Sequence, residues 1–172
     1  LHKGYLTMSR DGHTSTYTRL VSILEDHDIE YSVIDHAPEG RTSAASVIRG
    51  HPLSQAAKCM VVEIRMARHA LCVVPGDVRI DLAAVCELYN GTRASLAPQD
   101  TAERLTYCQR GAIIPFSFRP GELDLIADPG LLGQERLYFN AARLDRSLGI
   151  SADDFLRAAK PRLAKIADYE NS

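Results

Sequence analysis

The chain has 172 residues, 45% of them hydrophobic, and a formal charge of −2. This suffices for one domain with a sizeable core, and it excludes a polycation that grips nucleic acid by bulk charge; such binding needs a local basic patch. No apolar run reaches the roughly 18 residues of a membrane helix, and no secretory signal is apparent.

The four cysteines, at 59, 72, 86 and 108, form no CxxC pair. Cys59 and Cys72 fall in strand-like apolar runs, which points to reduced thiols in a cytoplasmic protein. Residues 1–15 begin "LHKGYLT" ahead of Met8. They are expected to be disordered or a foreign extension, with 16–172 forming one domain.

In chain order, Leu20, Ile23, Leu24 and His27 recur at helical spacing and predict a helix over 16–28. "EYSVIDH" alternates and predicts a strand, and "APEGR" is a turn. "TSAASVIRG" is a short helix, capped by Thr42 or Ser43 and stopped by Gly50. "KCMVVEI" and "HALCVVPG", joined by "RMAR", predict an antiparallel hairpin. "DVRIDLAAVCELYNG" follows as a helix, "TRASLA" as a strand and "PQDTAERLT" as a helix opened by proline.

Residues 107–121 carry glycine and proline without a period and predict a loop. "ELDLIAD" and "RLYFNA" are strands, and "SADDFLRAA" is a helix with Ser151 as its cap. "RLAKIADY" is expected to continue helically beyond Pro161. The irregular alternation with a hairpin predicts α+β with a mixed, largely antiparallel sheet.

Familiar cofactor and catalytic patterns are missing. There is no GxGxxG, GxxxxGK[ST] or GxSxG, and the six histidines show no metal-ligand spacing. Lys58 stands out instead. It heads the strand and shares a side with Met60, Val62 and Ile64. By spacing alone it reads first as a strand-end lysine snorkelling to water; the other reading is a cation facing a pocket.

Three ordered stretches together resemble the YbaK and prolyl-tRNA-synthetase-associated editing domain family. They are "HAPEGRTSAASVIRGHPLSQAAKCMVVEI" with its lysine, "ALCVVPGDVRIDLAAV", and "GAIIPF" (a GxxxP loop from Gly111 to Pro115) followed by "LYFNAARLDRSLGISADDFL". The resemblance spans residues 30 to about 160. It implies a partly barrel-like mixed sheet flanked by helices. It implies a free-standing deacylase that hydrolyses the ester of mischarged aminoacyl-tRNA, most often tRNA(Pro) carrying alanine, cysteine or another small residue. It also implies no metal and no cofactor. The expected partners are aminoacyl-tRNA, with tRNA(Pro) foremost, and prolyl-tRNA synthetase or another translation factor, with no membrane and a homo-oligomer left open.

The resemblance casts Lys58 and Gly111 as catalytic, and Ala112, Ile113, Pro115, Asn140 and Ala142 as substrate-binding. An activated ester needs a positioned water and oxyanion stabilisation, which backbone N–H groups in a glycine-bearing loop can supply. Lys58 would hold the terminal phosphate or the oxyanion. Asn140 has two readings, a partner for the substrate's amino group or a solvent-facing strand residue. Ala142 stands where the family usually has glycine, so its methyl would narrow the pocket or restrict the backbone. Arg41, Arg49 and His51 could meet phosphates or lie on a solvated surface. The competing functions are a non-catalytic module that binds tRNA ends or a synthetase, and a hydrolase for another acyl ester or thioester.

Overall fold

The computed structural model describes residues 15–172; the reading of residues 1–14 lies outside the described residues. Helix α1 (Thr16–Asp26) starts where the Ser15 hydroxyl accepts the Thr18 N–H at 3.2 Å. Strand β1 (Ser32–Asp35) and helix α2 (Thr42–Arg49) follow. A single 3₁₀ turn (Leu53–Gln55) then leads into the hairpin of β2 (Ala57–Ile64) and β3 (His69–Pro75). Beyond it come β4 (Arg79–Ile80), α3 (Leu82–Leu88), β5 (Ala94–Leu96) and α4 (Gln99–Thr106). After the loop of residues 107–121 come β6 (Leu123–Ala127), β7 (Arg136–Asn140), β8 (Arg146–Ser151) and α5 (Ala152–Ala159). Two short strands, β9 (Arg162–Leu163) and β10 (Ala167–Asp168), end the order.

The architecture is α+β. One sheet has the order β5-β2-β3-β6-β9, a second β1-β8-β7, and β10 pairs with β4. The β3–β6 and β6–β9 pairs are parallel and the other strand pairs antiparallel. The two larger sheets meet at a parallel bridge between Ala56 and Tyr138, and the described strands do not close into a barrel.

Strand alternation sorts the core. Ala57 and Val73 face the cluster built from Leu20, Leu24, Phe116, Phe139, Leu148 and Phe155. Val62, Ile64, Cys72 and Val74 face the other cluster, with Val85 and Ile166. A sheet covered on both faces explains why β3 is apolar at nearly every position.

Several expectations need correction. Residues 162–169 are not helical. Lys160 ends α5 in the left-handed conformation, and Asp128 captures the Ile166 and Ala167 N–H groups, each at 2.9 Å, so no helical ladder can use them. Strand β8 was not foreseen, because Gly149 interrupts its pattern; a Cβ there would lie 2.6 Å from both Ser32 Oγ and the Tyr138 ring. The predicted helix of 77–91 gives up its start to β4 and opens at Asp81, whose carboxylate accepts the Ala84 N–H. Helix α2 is preceded by Arg41 and has no side-chain cap, so Thr42 and Ser43 do not serve as caps.

Candidate active site

A cavity of about 580 Å³ opens where α2, the head of β2, the loop at Gly111 and the end of β7 converge. Thr42, Ala45 and Arg49 recur at helical spacing along α2, and all three line it. Four cations stand in its wall, Arg41, Arg49, Lys58 and Arg110, against one carboxylate, Glu39. A chain of net negative charge therefore carries a locally positive cavity.

Two backbones cross at its edge. Gly111 has φ +84°, and a Cβ on it would lie 2.7 Å from Gly40 Cα and 3.0 Å from Gly40 O. Both the conformation and the contact demand glycine. Asn140, 7% exposed, ties the crossing together. Its amide donates to Glu39 O and to Gly111 O, both at 2.8 Å. Its Oδ1 accepts from Ser147 Oγ at 3.0 Å and from Arg49 at 3.4 Å. The side chain lines the cavity, yet its hydrogen bonds are spent inside the protein, which makes it a positioning residue.

The Gly111 loop presents donors. Ala112 N–H bonds to Gln109 O and Arg110 N–H to Glu103. The N–H groups of Gly111 and Ile113 have no acceptor among the described residues. Both residues line the cavity, as they do a second hollow of about 330 Å³ against β5 and α4.

Lys58 lines the cavity, and its ammonium donates to the carbonyls of Val78 and, at 3.4 Å, Gly76. Burial lowers its pKa, opposed by Asp77 and assisted by Arg79. The lysine caps the turn that follows β3. Ala112 and Pro115 are buried behind the loop and do not line the cavity. Ala142 is also off the wall; it packs on the main core with φ +60°. Of the two effects its methyl was expected to have, the geometry carries backbone restriction and not a narrowed pocket.

Arg49 carries more weight than its sequence position suggested. Nε donates to His51 Nε2 at 2.8 Å, and the His51 ring stacks on Tyr138 with centroids 4.2 Å apart. The recurrence of 42, 45 and 49 on one helical face was the signal for it. Gly40, set in "APEGR", carried no signal beyond a turn. His36, bonded to Ser147 Oγ and Ala37 O, is structural.

The carboxyl and the thiol in the wall, Glu39 and Cys59, are not readied as base or nucleophile. Hydrogen bonds from Arg41 hold the Glu39 carboxyl below its usual range. Burial raises the Cys59 thiol strongly, and pushes Cys108 up to about 11 and Cys72 up to about 12.

Residues 36–158 match the aminoacyl-tRNA editing domain family. The chain belongs to that family. The Multifunctional Ser/Thr-tRNA deacylase ProXp-y of Escherichia coli (strain K12) is 38% identical over 152 residues, covering 86% of this chain and 90% of that protein. Among solved structures, the hypothetical protein APE2540 superposes with a TM-score of 0.79 at 20% identity, over 87% of this chain and 99% of that one. A protein described as a candidate trans-editing enzyme for prolyl tRNA synthetase gives 0.76 at 19% identity, over 94% and 99%. These two likenesses establish the fold, and the α+β expectation holds. With the family stands the expectation of an aminoacyl-tRNA deacylase, an ester hydrolase. Among the described residues no helix is long and apolar enough to cross a membrane.

Proposed function

We propose that residues 16–172 act as one editing domain, in the cytoplasm, that hydrolyses the ester of tRNA mischarged with serine or threonine. The observation that carries the reading is the positive cavity with two unspent N–H groups, those of Gly111 and Ile113, on a glycine-opened loop. A carbonyl oxygen set against that pair would gain stabilisation as it becomes an oxyanion. Water adds to the carbonyl carbon, the ester C–O bond breaks, and the ribose oxygen leaves with a proton. The family resemblance implies a substrate-assisted step in which the neighbouring ribose hydroxyl activates the water, and the pairing of Glu39 with Arg41 and the raised Cys59 thiol agree with that.

The choice of serine and threonine follows the 38% identical relative, named as a Ser/Thr-tRNA deacylase. The Thr42 side chain suits a hydroxylated substrate. It lines the cavity, and its hydroxyl has no partner among the described residues. The narrower expectation, alanine or cysteine on tRNA(Pro), differs by single small groups worth only about 1–3 kcal/mol. A panel therefore decides: serine, threonine, alanine and cysteine, each carried on tRNA(Pro) and on a second tRNA. Release of serine and threonine well above spontaneous hydrolysis is expected. Faster release of alanine or cysteine from tRNA(Pro) would move the assignment there, and tRNA binding without release from any member would favour the non-catalytic module.

A further inference from the structure

The Arg49 guanidinium is a half-buried charge without a counter-ion. Among the described residues it forms no ion pair. Its acceptors are all neutral: His51 Nε2 at 2.8 Å, Ser147 Oγ at 3.2 Å, Asn140 Oδ1 at 3.4 Å and Ser46 Oγ at 3.5 Å. A guanidinium has five N–H donors, so one has no acceptor here, and two of the four bonds, to Asn140 and Ser46, are long. Burial pushes its pKa down to about 10, so it remains a cation at neutral pH. The C-terminal end of α2, where Arg49 sits, offers a partial negative charge. That falls short of the full counter-charge which desolvation of a guanidinium calls for.

The other cations of the cavity are differently placed. Arg41 is exposed and paired with Glu39, the one carboxylate in the wall. Arg110 lies exposed at the rim. The Lys58 ammonium is spent on the carbonyls of Gly76 and Val78. Arg49 is the cation that is withdrawn from solvent, fixed in orientation by His51, and open at the wall. A guanidinium held in place with one N–H to spare, beside long neutral bonds it can exchange, suits a free oxygen of a phosphodiester.

We propose that Arg49 forms an anion subsite which takes the phosphodiester joining the last two nucleotides of the tRNA, where the sequence had offered the terminal phosphate to Lys58 and phosphate contact of an unspecified kind to Arg41, Arg49 and His51. The inference rests on the deacylase reading for its ligand, but it concerns binding and is tested without turnover.

The probes are cytidylyl-(3′→5′)-adenosine, adenosine 5′-monophosphate and adenosine, titrated into the full-length protein and followed by amide NMR shifts. Wild type should bind both phosphate-bearing probes about 10-fold or more tighter than adenosine. That increment should shrink with added salt as one phosphate contact requires. Arg49→Gln should erase the increment and leave adenosine affinity unchanged, and Arg49→Lys should recover part of it. No increment in wild type, or an increment that survives in Arg49→Gln, overturns the subsite. So does equal weakening of all three probes by Arg49→Gln in a protein that still melts cooperatively. If Arg49→Gln does not fold, the size and salt dependence of the wild-type increment decide. Serine release from seryl-tRNA, measured on the same preparations, keeps the readings apart. An increment without release refutes the deacylase and not the subsite; release without an increment does the reverse.

Discussion

Asp128 and Arg49 are both charges withdrawn from water, and the protein treats them in opposite ways. Asp128, 2% exposed, is met by four donors: Gly130 N–H and Tyr169 O–H at 2.8 Å, Ile166 N–H and Ala167 N–H at 2.9 Å. Its oxygens are fully engaged, and what they achieve is architectural, pinning the C-terminal strands beside β6. Arg49 has weak neutral acceptors, a spare donor and a cavity in front of it. A buried charge whose valence is filled holds the fold, whereas one left partly unfilled beside open space is set to receive a ligand.

The largest effect expected is on stability at Asp128. Asp128→Ala leaves the buried Ile166 N–H and three partly buried donors without their acceptor and should cost about 3 kcal/mol by urea unfolding. Deacylation per folded molecule should be unchanged. A large loss of specific activity would break the division between a structural anion and a binding cation. Asn140 stands on the boundary, saturated like Asp128 but within the cavity wall. Asn140→Ala should cost about 2 kcal/mol and, by releasing the Gly40–Gly111 crossing, slow release about 10- to 100-fold. The loss should appear in kcat with KM little changed; a loss confined to stability would class it with Asp128.

Smaller effects sharpen the same contrast. Ala142 holds φ +60° away from the cavity. Left-handed strain costs a non-glycine residue about 1–2 kcal/mol, while glycine loosens the unfolded chain by about 0.4–1 kcal/mol. Ala142→Gly should therefore stabilise by about 0.5 kcal/mol in denaturant melts, with the order of preference among amino acids unchanged. His51 gives the smallest signal. Burial lowers its pKa, and its Nε2 must stay unprotonated to accept from Arg49. Its contribution to stability is thus present above its ordinary value of about 6.5 and lost as pH falls through that value toward the lower folded one. The unfolding midpoint should drop between pH 7.5 and 5, and His51→Gln should flatten that drop.

Much of this was legible in the sequence where local signals agree. The β2–β3 hairpin, the helix that begins at Thr16, the helix that Ser151 caps, and the irregular loop at Gly111 carried their own periodicity, caps and breakers. What was not legible depends on contacts distant in sequence. "RLAKIADY" has helical spacing, but a carboxylate nearly forty residues earlier takes its N–H groups. Lys58 does share its side of β2 with Met60 and Val62, yet alternation could not show that its ammonium folds back onto the turn after β3. The glycine at 111 was singled out for close approach to a substrate. Its contact with Gly40, seventy-one residues earlier, follows from the packing of two loops and leaves no local trace.

The measurement that bears most directly on the cavity as the seat of ester hydrolysis is single-turnover release of serine from seryl-tRNA by wild type and Gly111→Ala. A methyl at 111 would lie 2.7 Å from Gly40 Cα, so the crossing must shift, and with it the loop that carries the two unspent N–H groups. Release is predicted to fall by about 100-fold or more in a protein that still unfolds cooperatively. Equal release rates in the two proteins would contradict the account.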